Sequence, residues 1–223
     1  MAAAFCHGAS ARAQAVFSVA GDSDYRLRGV SLSGGRPALS LALAYDHSSG
    51  VYGAASAVFA DGGPGGARLL GYQLDLGYAR RAGRDGSWEV GVTDARFSDP
   101  VDGAHDYVEI YGGVTRKGLS ARLYYSPDYF GEHVSTLYLD VGGAVRLRRH
   151  WRAFAHGGVL TPISGRSYPN SRKQHYDLRA GVAFDYQSLE LRLAWSTVLP
   201  GPDYPIGYDQ SRQAVVVGAA IGF

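Results

Sequence analysis

The sequence predicts an all-β fold, a closed antiparallel up-and-down transmembrane β-barrel of about twelve strands. Three observations carry that expectation. Segments of strict two-residue period follow one another from Gln14 onward, most of them about ten residues or longer, where strands of soluble sheets run to about five or six. The connections between them alternate between short and long. The chain closes on an alternating strand whose last residue is Phe223.

Composition agrees. Of 223 residues, Gly supplies 31 and Tyr 16, while hydrophobic residues make up 46% and charged ones 19%. Gly is a poor helix former and Tyr favours pleated surfaces. No apolar run approaches the roughly 18 residues of a transmembrane helix. Strands that alternate apolar and polar residues average out to a soluble-looking hydropathy, here a mean of -0.13. The formal net charge of +2 gives neither a nucleic-acid footprint nor a polyanionic tail.

Residues 1–13 read as a leader or the remnant of a signal peptide, and 14–223 as the barrel. Ala11-Arg12-Ala13 has the small-x-small pattern of a signal-peptidase site, which makes Gln14 the first mature residue. Met1 to Ser10 shows neither the basic nor the apolar stretch of a full signal, so the true translation start is left open. Cys6 is the one cysteine, and its loss with the leader suits an oxidising compartment.

Strands are expected near 15–32, 37–47, 51–60, 69–81, 86–98, 105–116, 119–127, 134–148, 151–161, 174–187, 189–199 and 212–223. The clearest has Leu189, Leu191, Leu193 and Trp195 on one face and Glu190, Arg192, Ala194 and Ser196 on the other. Leu137, Leu139, Val141, Val145 and Leu147 oppose Tyr138, Asp140, Ala144, Arg146 and Arg148 in the same way. The even-numbered connections are tight, such as Lys117-Gly118 and Arg149-His150. The odd ones are long and rich in Gly, Pro and Asp, such as Asp61–Arg68, Pro162–Lys173 and Pro200–Ser211, with Ser33–Arg36 the exception. Sorting of loops by end is the mark of an outer-membrane barrel, with the long side extracellular and both termini periplasmic. Val215, Val217, Ala219 and Ile221 alternate toward Phe223, a pattern like the carboxy-terminal signal read by the barrel-assembly machinery.

A barrel in lipid leaves no free edge, because every backbone donor and acceptor must be satisfied internally. Aromatics near strand ends, among them Tyr25, Tyr45, Tyr78, Trp88, Trp151, Tyr186 and Phe223, are then expected at the interfaces with the headgroups. By parity the inward face collects Arg26, Arg28, Arg122, Arg146, Arg148, Arg179 and Arg192 with Asp46, Asp75, Glu89, Glu109, Asp140, Asp177, Asp185 and Glu190 as pore-lining candidates. Such charges must pair with one another or line water.

The run Ser23-Asp24-Tyr25-Arg26-Leu27-Arg28-Gly29-Val30-Ser31-Leu32-Ser33, followed by Pro37-Ala38-Leu39, resembles the amino-terminal signature of the TorF-family porins of proteobacteria. Tyr107–Gly112, Tyr124–Phe130 and Tyr138-Leu139-Asp140 are similar to later stretches of that family. Leu32 stands where a polar residue, usually Gln, is expected, so no role is carried to it. The resemblance implies an outer-membrane barrel and brings no catalytic residues. Arg26 and Arg28, on one face of a strand, are expected to offer two guanidinium groups to inward carboxylates and anchor a lumenal network.

Catalytic alternatives are thin. His133 and Ser135 share the spacing of outer-membrane phospholipases, yet the one Asn, Asn170, falls in a long connection instead of a neighbouring strand. Asp128, His133, Asp99 and His105 are the residues that a protease-like rim cluster would use. The histidines show no metal-ligand spacing, and Gly62–Gly66 opens no helix that would cradle phosphate. The expectation is therefore a non-enzymatic porin-like channel without cofactor or metal, in the outer membrane of a Gram-negative bacterium, passing small polar solutes by diffusion and contacting outer-membrane lipids. The alternative is a sealed structural or interaction barrel whose extracellular loops bind a partner or a surface polysaccharide. Oligomer formation, the solute and ion selectivity stay open at this stage.

Overall fold

Period-two alternation produces long strands whose side chains fall on opposite faces, and here nearly all of them join one sheet. The computed structural model describes residues 14–99, 103–130, 133–165, 174–199 and 212–223. The leader and most of the two longest connections, 166–173 and 200–211, lie outside the described residues. The strands are β1 (Gln14–Asp22), β2 (Arg26–Leu27), β3 (Val30–Ser31), β4 (Ala38–Asp46), β5 (Val51–Asp61), β6 (Ala67–Ala82), β7 (Gly86–Asp99), β8 (Gly103–Arg116), β9 (Leu119–Ser126), β10 (Val134–Arg148), β11 (Trp151–Gly165), β12 (His175–Tyr186), β13 (Leu189–Leu199) and β14 (Gln213–Gly222). All but β2 and β3 form one closed antiparallel barrel in sequence order, with β1 pairing both β4 and β14. Closure removes the edges that a bilayer could not satisfy.

Register fixes what each face carries. Between β12 and β13, Ala180 pairs with Trp195, Val182 with Leu193 and Phe184 with Leu191, while Arg179 pairs with Ser196 and Asp185 with Glu190. A slip of one residue would turn the first set into the lumen and the second into lipid. The outer face is an apolar belt on which Leu43, Leu76, Ile110, Leu123, Val141, Leu193 and Val217 are exposed. Toward the short-turn end the belt is bounded by Tyr45, Trp88, Trp151 and Tyr186, with Tyr78 and Trp88 rings 5.7 Å apart and Trp151 and Phe184 rings 5.2 Å apart. Phe223 stacks on Phe17 at 6.0 Å, and its amide donates to the Phe17 carbonyl at 2.8 Å. The terminal aromatic therefore fastens the seam where first and last strands meet.

One strand departs from expectation. The segment expected to run through 15–32 leaves the wall at Asp22, and residues 23–37 fold back inside the barrel with β2 and β3 as a hairpin. The reason lies in Arg28 and Gly29, whose φ values of +48° and +79° make the two-residue left-handed turn that favours tight hairpins. Alternation in this stretch belongs to a short ribbon with its own two faces, so Arg26 and Arg28 do not lie side by side on the wall. Tyr25 accordingly packs against the lumenal core and takes no part in the outer girdle. The Ser33–Arg36 exception also disappears, since the connection between β1 and β4 is long, like the others at its end.

The candidate functional site, the lumen and its inserted hairpin

The hairpin is held together by its own polar groups. Asp24 is 7% exposed and accepts from Ser31 Oγ, from Ser33 Oγ at 3.1 Å and from Arg26 at 2.7 Å. Arg26 Nε also donates to the Gly29 carbonyl at 2.9 Å, tying the arm to the turn. Tyr25 N donates to Ser33 Oγ at 2.9 Å and Leu32 N to the Tyr25 carbonyl at 2.8 Å. The serines and aspartate of the signature run thus build the hairpin and do not line a pore.

Its tip reaches the far wall. Arg28 donates to Glu109 Oε2 on β8 at 2.6 Å, and its guanidinium lies 4.0 Å from the Tyr138 ring centre, 5.3 Å from Tyr129 and 5.6 Å from Tyr107. A planar cation among aromatic faces gains from both their quadrupoles and their apolar area. Gly29 sits so close to β12 and β13 that a Cβ there would strike Val198 and come within 2.8 Å of the Asp177 Cβ. Val30 and Leu32 bury themselves with Val58, Leu70, Phe97, Leu160 and the lumenal tyrosines. Toward the long-loop end the hairpin therefore packs against wall residues of β5 through β13.

The remaining wall carries charge in chains. Arg122 on β9 holds Glu89 on β7 through two bonds of 2.6 and 3.2 Å, and Tyr52 donates to the same carboxylate at 2.9 Å while touching Tyr111 OH at 2.6 Å. His156 stands between Asp140 at 3.5 Å and Asp177 at 2.7 Å, and Tyr138 donates to Asp177 at 3.0 Å. Arg152 pairs with Asp185 at 2.9 Å and with Glu190; Arg192 pairs with Glu190 at 3.3 Å and with Asp22 at 3.1 Å. Inward glycines make room for these groups, since a Cβ at Gly158 would collide with Tyr138 and Asp177, and one at Gly218 with Asp22.

Asp75 accepts from Thr93 at 2.5 Å and from Gln73 at 2.9 Å. Arg179 lies 5.9 Å from the Phe154 ring, and its Nε has no hydrogen-bond partner among the described residues. Asp46 is exposed at the short-turn end in register with Tyr52. Arg146 is in register with Arg152, whereas a register shift sets Arg148 opposite lipid-facing Trp151. Asp22, Asp24, Arg152 and His156 join the lumenal charges only in the structure. Arg152 was legible, because it follows lipid-facing Trp151 and so must turn inward.

At the rim, Ser135 Oγ donates to the Pro127 carbonyl at 2.9 Å and receives Ser164 Oγ at 3.0 Å, and among the described residues no hydrogen bond links it to His133. His133 is 85% exposed and lies 3.5 Å from Asp128. The side chains of Asp99 and His105 lie outside the described set.

Residues 7–198 match the family model Gcw_chp, described as a bacterial protein of unknown function. No curated protein matches the chain by sequence. Among solved structures, the KdgM porin is 13% identical with a TM-score of 0.56, over 93% of this chain and 99% of its own. The NanC porin is 10% identical with a TM-score of 0.58, over 92% and 98%. KdgM solved with disordered oligogalacturonate is 12% identical with a TM-score of 0.55, over 94% and 99%. The barrel architecture is common to all of them.

Proposed function

The chain belongs to the Gcw_chp family of bacterial proteins, and because that family is described as of unknown function we propose, from the lumen itself, that it is a narrow outer-membrane channel passing small polar solutes by diffusion. The observation that carries the reading is how differently two sets of ion pairs meet water. Arg28 and Glu109 are 6% and 2% exposed, whereas Arg192 and Asp22 are 23% and 15%, and Arg152 and Asp185 are 24% and 43%. Charges in contact with water escape most of the desolvation cost, and the hydrated strip of pairs on β11, β12, β13 and β1 lies toward the short turns, where this proposal places the wide part of a solute path that narrows past the hairpin. The mixed signs along that strip favour small polar solutes over ions of one charge. The fold shared with two porins and the TorF-like run Ser23–Ser33 support the same reading.

In this proposal the short-turn end and both termini face the periplasm, lipids cover the apolar belt, and Phe223 is read by the assembly machinery. The purified barrel in a planar bilayer should show small, discrete conductance steps. A second reading is favoured by the packed hairpin tip: a sealed barrel whose long connections bind a partner or a surface polysaccharide. Reproducible silence of the intact protein would support that reading and overturn the channel.

A further inference from the structure

The lumenal arginines described above mostly face carboxylates. Another group of cations makes no ion pair among the described residues, although Asp85 shares the first of its turns. Arg80 closes on the turn between β6 and β7 and Arg84 lies in it; Arg116 and Lys117 stand in the same relation to the turn between β8 and β9, and Arg148 and Arg149 to the turn between β10 and β11. All six are exposed, and none makes an ion pair with a described residue. The first two turns adjoin, the Lys117 amide donating to the Asp85 carbonyl at 3.2 Å, and β10, which leads into the third, follows them with the Ala144 amide donating to the Gly118 carbonyl at 3.3 Å. The other short turns, His47–Gly50 and Gln187-Ser188, contain no lysine or arginine. Basic charge therefore covers one arc of this end and not the other.

Register says which way three of them point. Arg80 pairs with Trp88, Arg116 with Leu119 and Arg148 with Trp151, and cross-strand partners share a face. Trp88, Leu119 and Trp151 are exposed on the lipid side by 38%, 66% and 45%. The three guanidinium groups thus stand on the outer surface at the level of the aromatic girdle, where long side chains reach from the hydrocarbon to the headgroups. A soluble acidic partner would call for cations aimed away from the bilayer. We propose that this arc is a binding surface for anionic glycerophospholipid headgroups in the leaflet that meets the short-turn end, with Arg80, Arg116 and Arg148 as its phosphate contacts.

The test is native mass spectrometry of the full barrel, released from detergent containing equal amounts of phosphatidylglycerol and phosphatidylcholine. The intact protein should retain phosphatidylglycerol by about tenfold over phosphatidylcholine, and Arg80→Gln/Arg116→Gln/Arg148→Gln should fall to near parity. A control with the same loss of charge at the other end, Arg36→Gln/Arg68→Gln/Arg96→Gln, should keep the preference. No preference in the intact protein, or equal loss in both variants, overturns the proposal. Should the first variant not fold, the lysine version at the same three positions must retain the preference, and that of the intact protein must weaken as salt is raised. A preference indifferent to salt is equally contrary.

Discussion

Arg28 and Glu109 are 81 residues apart in the chain and 2.6 Å apart in the barrel, joined across the lumen by a nearly dry ion pair. Arg28 holds this position from the left-handed region, at φ +48°, which an L-residue occupies at a cost. Removing the cation alone leaves Glu109 buried without its partner, the most damaging way to break such a pair. Arg28→Ala should cost about 3–5 kcal/mol in denaturant unfolding of the reconstituted barrel, and Arg28→Ala/Glu109→Gln should recover a large part of it. A single and a double variant of equal stability would show that the pair does not fasten the hairpin.

Gly29 tests the same contact by shape. At φ +79° and with Val198 and Asp177 against it, Gly29→Ala has to push the hairpin tip off β12 and β13. Gly35 has φ +69° but nothing within 4 Å, so Gly35→Ala carries only the backbone penalty, about 1–2 kcal/mol. Protease accessibility of the hairpin should rise for the Gly29 variant and not for the Gly35 variant. Identical digestion of the two would remove the wall contact from the account.

The lipid face should respond by depth. Leu193, in the middle of β13 and 50% exposed, pairs with Val182 and Val217 on the same outer face. Leu193→Arg should destabilise by about 2–4 kcal/mol, and Leu189→Arg, beside the short turn, by about 0–1 kcal/mol. Glu190→Gln, on the lumenal side, should cost much less than Leu193→Arg. Equal costs across all three would mean that the outer face does not meet hydrocarbon.

Selectivity should follow the hydrated strip. Asp22→Asn removes a negative charge facing Arg192, so the zero-current potential in a salt gradient should move toward anions; Arg192→Gln should move it toward cations. Asp94→Asn, on the outer surface beside Arg96, should leave it unchanged. Shifts of the same sign for Asp22→Asn and Arg192→Gln would place these residues outside the conducting path.

Most of the wall was legible because alternation and register are the same fact in a two-sided sheet. The strand Leu189–Leu199 has the predicted bounds, since leucines and charges there take opposite faces without a break. The hairpin was not legible by that route: a ribbon folded into the lumen has the same period as a strand in the wall. The available signal was turn chemistry, with Arg28-Gly29 and Gly34-Gly35 both falling close together and all four in the left-handed region. Faces could be read from parity, but partners across the lumen could not. Nothing in the order of residues joins Arg28 to Glu109 or Arg192 to Asp22, which meet only once β1 closes on β14.

In the proposed channel the inserted hairpin narrows a water-filled path and does not close it. Single-channel conductance of the intact barrel should be compared with that of a variant in which residues 24–34 are replaced by a short Gly-Ser link. The intact protein should show small steps and the variant clearly larger ones. Equal conductance in the two, or silence in both, would contradict that.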